Sequence, residues 1–139
     1  MSKTLTILGA GESGIGAAIL GQKQGYTVFL SDAGSISADR KAVLDSFGVE
    51  YEEGGHSTDR ILSSDEIVKS PGIPDKIPLI QKAVAQKIPV ISEIEFAYRY
   101  IPEEARVIAI TGTNGKTTTT LLIHHLLKTA GLKVALGGN

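Results

Sequence analysis

The chain has 139 residues, 42% of them hydrophobic and 21% charged, with a formal net charge of −1. That length suits one domain, or one domain and a piece of another, with enough apolar residues for a packed core. The balanced charge gives no electrostatic footprint for nucleic acid, the lack of cysteine excludes disulfide frameworks and thiolate metal sites, and no apolar run nears the ~18 residues of a membrane span. The amino terminus, MSKTLTILGAG, has one lysine, a short apolar run and no signal-peptide cleavage pattern, so a cytoplasmic location is expected.

Residues 4–8 (TLTIL) read as a strand, followed by Gly9-Ala10-Gly11-Glu12-Ser13-Gly14 and a helix to about Gln24. The turn matches G-x-G-x-x-G, in which the glycines allow a tight turn, close backbone approach to a phosphate and close helix–strand packing. Residues 26–30 (YTVFL) form the next strand, with Asp32 at its end, where an acid would ordinarily meet a ribose 2′-OH. Read alone, residues 1–32 describe a dinucleotide-binding fold, and an NAD-dependent oxidoreductase domain is the alternative they leave open.

The α/β alternation continues with a helix over residues 37–47, closed by Gly48, and a short strand at 49–52. A helical turn through Leu62 follows, with Ser57 as N-cap. His56 has no partner at ligand spacing and reads as a solvated loop residue. Residues 66–69 form a strand ending in Ser70-Pro71-Gly72-Ile73-Pro74. That is either a ligand-binding strand end or an ordinary proline-glycine turn. A helix over 78–86 carries Pro78 in its first turn, and a strand at 88–91 bears Pro89, so it lies at an edge or starts late. Ser92 and Glu95 spell a capping box at the start of a helix over 93–100, with Phe96 and Tyr100 on one face and Glu93 turned to solvent.

Residues 101–106 (IPEEAR) have the composition of a linker, so a domain boundary is expected there. Residues 107–110 (VIAI) then read as a strand, 111–115 as a glycine-bearing turn, and Lys116 onward as a helix. Strand, glycine turn, Lys-Thr and helix make a phosphate-binding loop, with Lys116 reaching β/γ-phosphates and the Thr117 hydroxyl on Mg²⁺. Ile110 replaces the first glycine of the usual pattern, which points to a particular variant of the loop. His124 and His125 are adjacent on the helix, face different sides and make no ligand pair. A further strand is expected at 132–136. One helix and one such strand cannot bury both faces of a parallel sheet, so the sequence reads as a piece of a longer protein.

In tandem these pieces narrow the field. The glycine turn 9–14, SPGIP at 70–74, SEIEF at 92–96, ITGTNGKTT at 110–118 and the terminal Gly137-Gly138-Asn139 stand in the order found in the Mur ligases, and the chain resembles that family across its length. The TGTNGKT loop accounts for Ile110, and SPGIP and SEIEF favour the D-glutamate-adding member. The resemblance implies an α/β protein with a Rossmann-like parallel-sheet domain at residues 1–100 that binds a UDP-linked substrate. Residues 101–139 would be a linker and the truncated start of a central P-loop ATP-binding domain.

By motif position, Gly11, Glu12, Ser13 and Gly14 would meet the diphosphate, Asp32 and Ala33 would lie beside the uridine, Ser70 and Gly72 would border the same pocket, and Asn139 would approach the substrate. Ala33 and Gly34 stand where the family carries polar substrate contacts. Gly112, Thr113, Asn114, Gly115, Lys116, Thr117 and Thr118 would bind ATP, with Lys116 catalytic and Thr117 on Mg²⁺. The implied reaction joins D-glutamate to UDP-N-acetylmuramoyl-L-alanine through an acyl phosphate, in peptidoglycan precursor synthesis. Its partners would be small molecules, with no nucleic acid and no membrane insertion. The family's carbamylated lysine, further Mg²⁺ ligands and C-terminal domain fall outside these 139 residues, so the chain alone would form no amide bond.

Overall fold

The computed structural model describes residues 2–137, which divide between two compact units, Met1–Ile101 and Pro102–Asn139. The first unit alternates strand and helix throughout: β1 (Thr4–Leu8), α1 (Glu12–Lys23), β2 (Thr27–Asp32), α2 (Ala38–Ser46), β3 (Glu50–Glu53), α3 (Thr58–Leu62), β4 (Glu66–Lys69), α4 (Pro78–Ala85), β5 (Val90–Ser92) and α5 (Glu93–Tyr98). Its five strands pair in parallel in the order β3-β2-β1-β4-β5.

Side-chain alternation along the strands divides the core between the two faces of the sheet. Leu5, Ile7, Val28, Leu30 and Val68 belong to a cluster that includes Ala17 and Ala18 of α1, Leu44 of α2 and Phe96 of α5. Leu8, Phe29 and Ile67 join Ile61 of α3 and Leu79, Ile80 and Ala83 of α4 in the other. Two glycines let α1 lie close to the sheet. A Cβ at Gly21 would sit 2.8 Å from Leu5 Cδ2, and one at Gly14 would overlap the Gly9 carbonyl oxygen. Phe96 is fully buried and meets Tyr26 and Tyr100 edge-on, at ring-centroid distances of 5.8 and 5.4 Å. The two tyrosine hydroxyls share a 2.9 Å hydrogen bond, and Arg99 Nη1 donates at 2.8 Å to the buried Glu66.

Strand order positions the site. The chain leaves β1 for β2 and β3 on one side, then crosses to β4 and β5 on the other, so connections diverge at the carboxyl ends of β1 and β4. In open parallel sheets that divergence leaves a crevice where ligands bind.

Local readings differ from the structure at several points. Strand β5 starts at Val90, directly after Pro89, and α5 ends at Tyr98. Ser57 does not cap α3; its hydroxyl is donated to Glu52. Half of the capping box forms: Glu95 N donates to Ser92 Oγ at 3.2 Å, while the Glu95 carboxylate lies 3.9 Å from Arg99. Glu93, expected in solvent, is 5% exposed, because α5 packs against α1 and turns that side chain inward.

In the second unit α6 (Lys116–Thr129) is the regular element among the described residues, and none of its side chains is buried. Residues 107–110 and 132–136 are not strands, contrary to their apolar, β-branched composition. No described strand pairs with either segment, and an extended segment without a ladder partner gains neither hydrogen bonds nor a covered face.

Candidate functional site

The crevice is lined first by the turn after β1. Gly9 holds φ at +101°, a region that favours glycine, and a Cβ there would lie 2.7 Å from Ser70 Oγ. The Gly9 amide donates to Ser31 O at 2.9 Å, tying the turn to β2. Gly11 is the N-cap of α1 and offers no side-chain cap, so the first-turn amides of Glu12, Ser13 and Gly14 have no carbonyl one turn back. Nothing lies within 4 Å of where a Gly11 Cβ would be. Thus Gly9 and Gly14 are glycine because the protein itself fills the space, whereas the space beside Gly11 is open. Helix-start amides without an internal partner, beside the open space at Gly11, suit an anion.

Asp32 braces this turn. Its Oδ2 accepts from the Ala10 amide at 2.5 Å and its Oδ1 from the Gly34 amide at 2.7 Å. Ala33 and Gly34 follow, both exposed. Across the crevice Ser70 N donates to Leu8 O at 3.0 Å and Ile73 N to Ser70 O at 3.0 Å, which folds the SPGI segment back beside Gly9. Lys69 Nζ secures that fold by donating to Ile73 O at 2.9 Å and pairing with Asp75 at 3.0 Å. Gly72 is exposed at the turn. Gly11, Ser13, Gly14, Asp32 and Ser70 therefore gather at the turn after β1.

Two participants escaped the sequence reading. Glu93 Oε1 accepts from Ser13 Oγ at 3.0 Å, which links SEIEF to the glycine turn. His56, read as solvated, is half-buried, with Nδ1 2.6 Å from Ser31 Oγ. Ser31 in turn donates to Glu52 Oε1 at 2.6 Å, and the Ser57 amide and hydroxyl also donate to Glu52. Burial would push the Glu52 carboxyl up, but these hydrogen bonds, with Ser31 and Ser57 foremost, hold it below its ordinary value. Glu52 is thus ionised at neutral pH and accepts only. Ser31 Oγ thus stands between Glu52 Oε1 and His56 Nδ1, 2.6 Å from each. No signal within the sequence foretold either contact, since the partners lie 80 and 25 residues apart.

In the second unit the loop before α6 has left-handed glycines, Gly112 at φ +154° and Gly115, the N-cap, at +75°. Lys116 Nζ folds back over the loop and donates to Gly112 O at 2.6 Å. An ammonium held over a loop of peptide groups at a helix start suits a polyanion that both can neutralise. Thr113, Asn114, Thr117 and Thr118 are all exposed there. Among the described residues no three His, Cys, Asp or Glu side chains gather to hold a metal, and no helix is long and apolar enough to cross a membrane. Asn139 lies outside the described residues.

Comparison with known proteins gives consistent matches. Residues 4–77 match the sequence family described as the MurD N-terminal domain. UDP-N-acetylmuramoylalanine–D-glutamate ligases of Bacteroides fragilis and Cytophaga hutchinsonii are each 54% identical, over 99% and 100% of this chain. The chain spans 30% and 31% of their lengths. A murein peptide ligase from Psychrobacter arcticus superposes with a TM-score of 0.70 at 29% identity, covering 94% of this chain and 27% of the larger protein.

Proposed function

Because the chain belongs to the MurD N-terminal domain family, we propose that the whole protein is a cytoplasmic, ATP-dependent ligase that adds D-glutamate to UDP-N-acetylmuramoyl-L-alanine in peptidoglycan precursor synthesis. One observation carries the reading: the open turn at Gly11, with free amides at the start of α1, stands in the same chain as a glycine loop, Lys116 and Thr117 at the start of α6. Relatives named as D-glutamate ligases match 99–100% of that chain.

In this reading residues 1–100 form the UDP-substrate domain and residues 101–139 the linker and beginning of the ATP domain. The amides of Glu12, Ser13 and Gly14 receive the diphosphate, and Asp32, by holding Ala10 and Gly34, keeps the turn in its receptive shape. Asp32 and Ala33 border the uridine, with Ser70 and Gly72 opposite. The NAD-dependent alternative has weaker support, since relatives that match this chain over nearly all of its length are named as D-glutamate ligases.

The chemistry asked of the second unit is carboxylate activation. A carboxylate does not react with an amine because its leaving group is poor. Transfer of the γ-phosphoryl group from ATP to the L-alanyl carboxylate supplies one, and the D-glutamate amine then displaces phosphate. Such transfer depends on positioning and charge neutralisation. Arriving phosphates compete with the Gly112 carbonyl for Lys116, whose ammonium moves onto the β/γ oxygens while the amides of residues 113–116 orient them. Mg²⁺ fits as an ion carried by the nucleotide: Thr117 offers one neutral oxygen, and Mg²⁺ commonly binds substrate phosphates with few protein ligands. Bound there, it would neutralise phosphate charge.

The test is phosphate release by the intact protein. The reading expects release only when ATP, UDP-N-acetylmuramoyl-L-alanine and D-glutamate are all present. ATP hydrolysis indifferent to the latter two would overturn it.

A further inference from the structure

Ser13 is exposed at the mouth of the crevice, while its hydroxyl proton points inward to Glu93, which is 5% exposed. Among the described residues, Ser13 Oγ donates to that carboxylate at 3.0 Å. A hydroxyl has one proton and two lone pairs. With the proton committed to a buried charged acceptor, the side of Ser13 that faces a ligand can only accept. Redirecting the proton to a phosphate would leave a buried carboxylate without its partner, which is costly.

We infer that Glu93 is a positioning residue that fixes Ser13 as a hydrogen-bond acceptor toward the ligand, and so selects an esterified diphosphate bearing sugar hydroxyls over a bare polyphosphate. This rests on the UDP-substrate reading above and refines it. Phosphate oxygens are acceptors too, and they meet no proton from Ser13; they are left to the backbone amides of Glu12, Ser13 and Gly14. A sugar hydroxyl or amide N–H on the ligand, by contrast, finds a ready lone pair. The negative charges of Glu12, exposed in the first turn of α1, and Glu93 behind it add to the bias, because both disfavour the extra charge of a free pyrophosphate. The helix start thus attracts an anion while its side chains limit how much charge that anion carries.

The test measures binding of UDP-N-acetylmuramic acid and of inorganic pyrophosphate to the 139-residue chain by calorimetry. The wild type should favour the sugar nucleotide. Glu93→Gln removes the charge and can flip its amide to donate to Ser13, which frees the hydroxyl proton for phosphate. Pyrophosphate affinity should then rise about three- to tenfold, the worth of one net hydrogen bond. The double variant Ser13→Ala/Glu93→Gln should lose that gain, which a merely structural role for Glu93 would not predict. Should Glu93→Gln fail to fold by circular dichroism, Ser13→Ala alone decides: the sugar nucleotide should weaken while pyrophosphate holds or improves. Equal weakening of both ligands, or no gain in Glu93→Gln, overturns the inference while leaving the UDP-substrate reading intact. A wild type that binds no UDP-sugar overturns both.

Discussion

Substitution of the three glycines Gly11, Gly14 and Gly16 separates the structural from the ligand-facing use of one turn. Gly14→Ala is the informative change. Its Cβ would overlap the Gly9 carbonyl oxygen and lie 3.1 Å from the Gly9 carbonyl carbon, both backbone atoms that no rotamer change can move. Gly9 is itself tied down, because its amide donates to Ser31 O at 2.9 Å and its φ is +101°. Helix α1 must therefore move off the sheet by roughly 1 Å, in a core packed like a crystal. Such overpacking costs about 3 kcal/mol, the upper end of the usual range. For a unit of this size that lowers Tm by about 10–20 °C.

Gly16→Ala is the control on the same helix. Nothing lies within 4 Å of its Cβ, so removing a helical glycine should stabilise the unit by about 1 kcal/mol. Gly11→Ala, equally unhindered and at φ −66°, should leave Tm within about 3 °C of the wild type. All four tyrosines and all three phenylalanines lie before residue 102, so near-ultraviolet circular dichroism reports the first unit alone. A Gly14→Ala variant melting with the wild type would refute the claim that the turn and α1 are locked by backbone contact.

Phe96→Ala should cost about 3–5 kcal/mol in urea unfolding, because it empties a fully buried ring site between Tyr26 and Tyr100. Glu52 titrates below its ordinary 4.5 in the folded chain, so its contribution is present above that pH and lost as pH falls through the folded value; the stability gap between wild type and Glu52→Gln should close on acidification below about 4.5 and persist at pH 7. In the intact protein, if Lys116 serves the β/γ-phosphates as proposed, Lys116→Ala should lower turnover by about a hundredfold or more while UDP-substrate affinity changes less than about twofold. Equal losses in both would contradict that role.

Much of the first unit was legible because its signals are local. Residues 66–69 announce β4 by an apolar run with a polar end, Pro78 marks the first turn of α4, and Ser92 caps α5. The glycine turn was legible for the same reason, each glycine answering a steric demand within a few residues. Glu93 and His56 were not, because local rules place a charged N1 residue and a loop histidine in water, whereas packing of α5 on α1 and of the β3–α3 loop on β2 decides otherwise. Residues 107–110 and 132–136 failed in the other direction. Their β-branched composition describes what a strand would need, but a strand also needs a neighbour, and none is present among the described residues.

In the proposed function the turn beside Gly11 receives a UDP-linked sugar. Calorimetric titration of the chain with UDP-N-acetylmuramoyl-L-alanine, repeated in the presence of UDP and of NAD, tests it most directly. The expected result is saturable one-to-one binding that UDP displaces and NAD leaves untouched. Saturable NAD binding by a chain that ignores the UDP-sugar would contradict it.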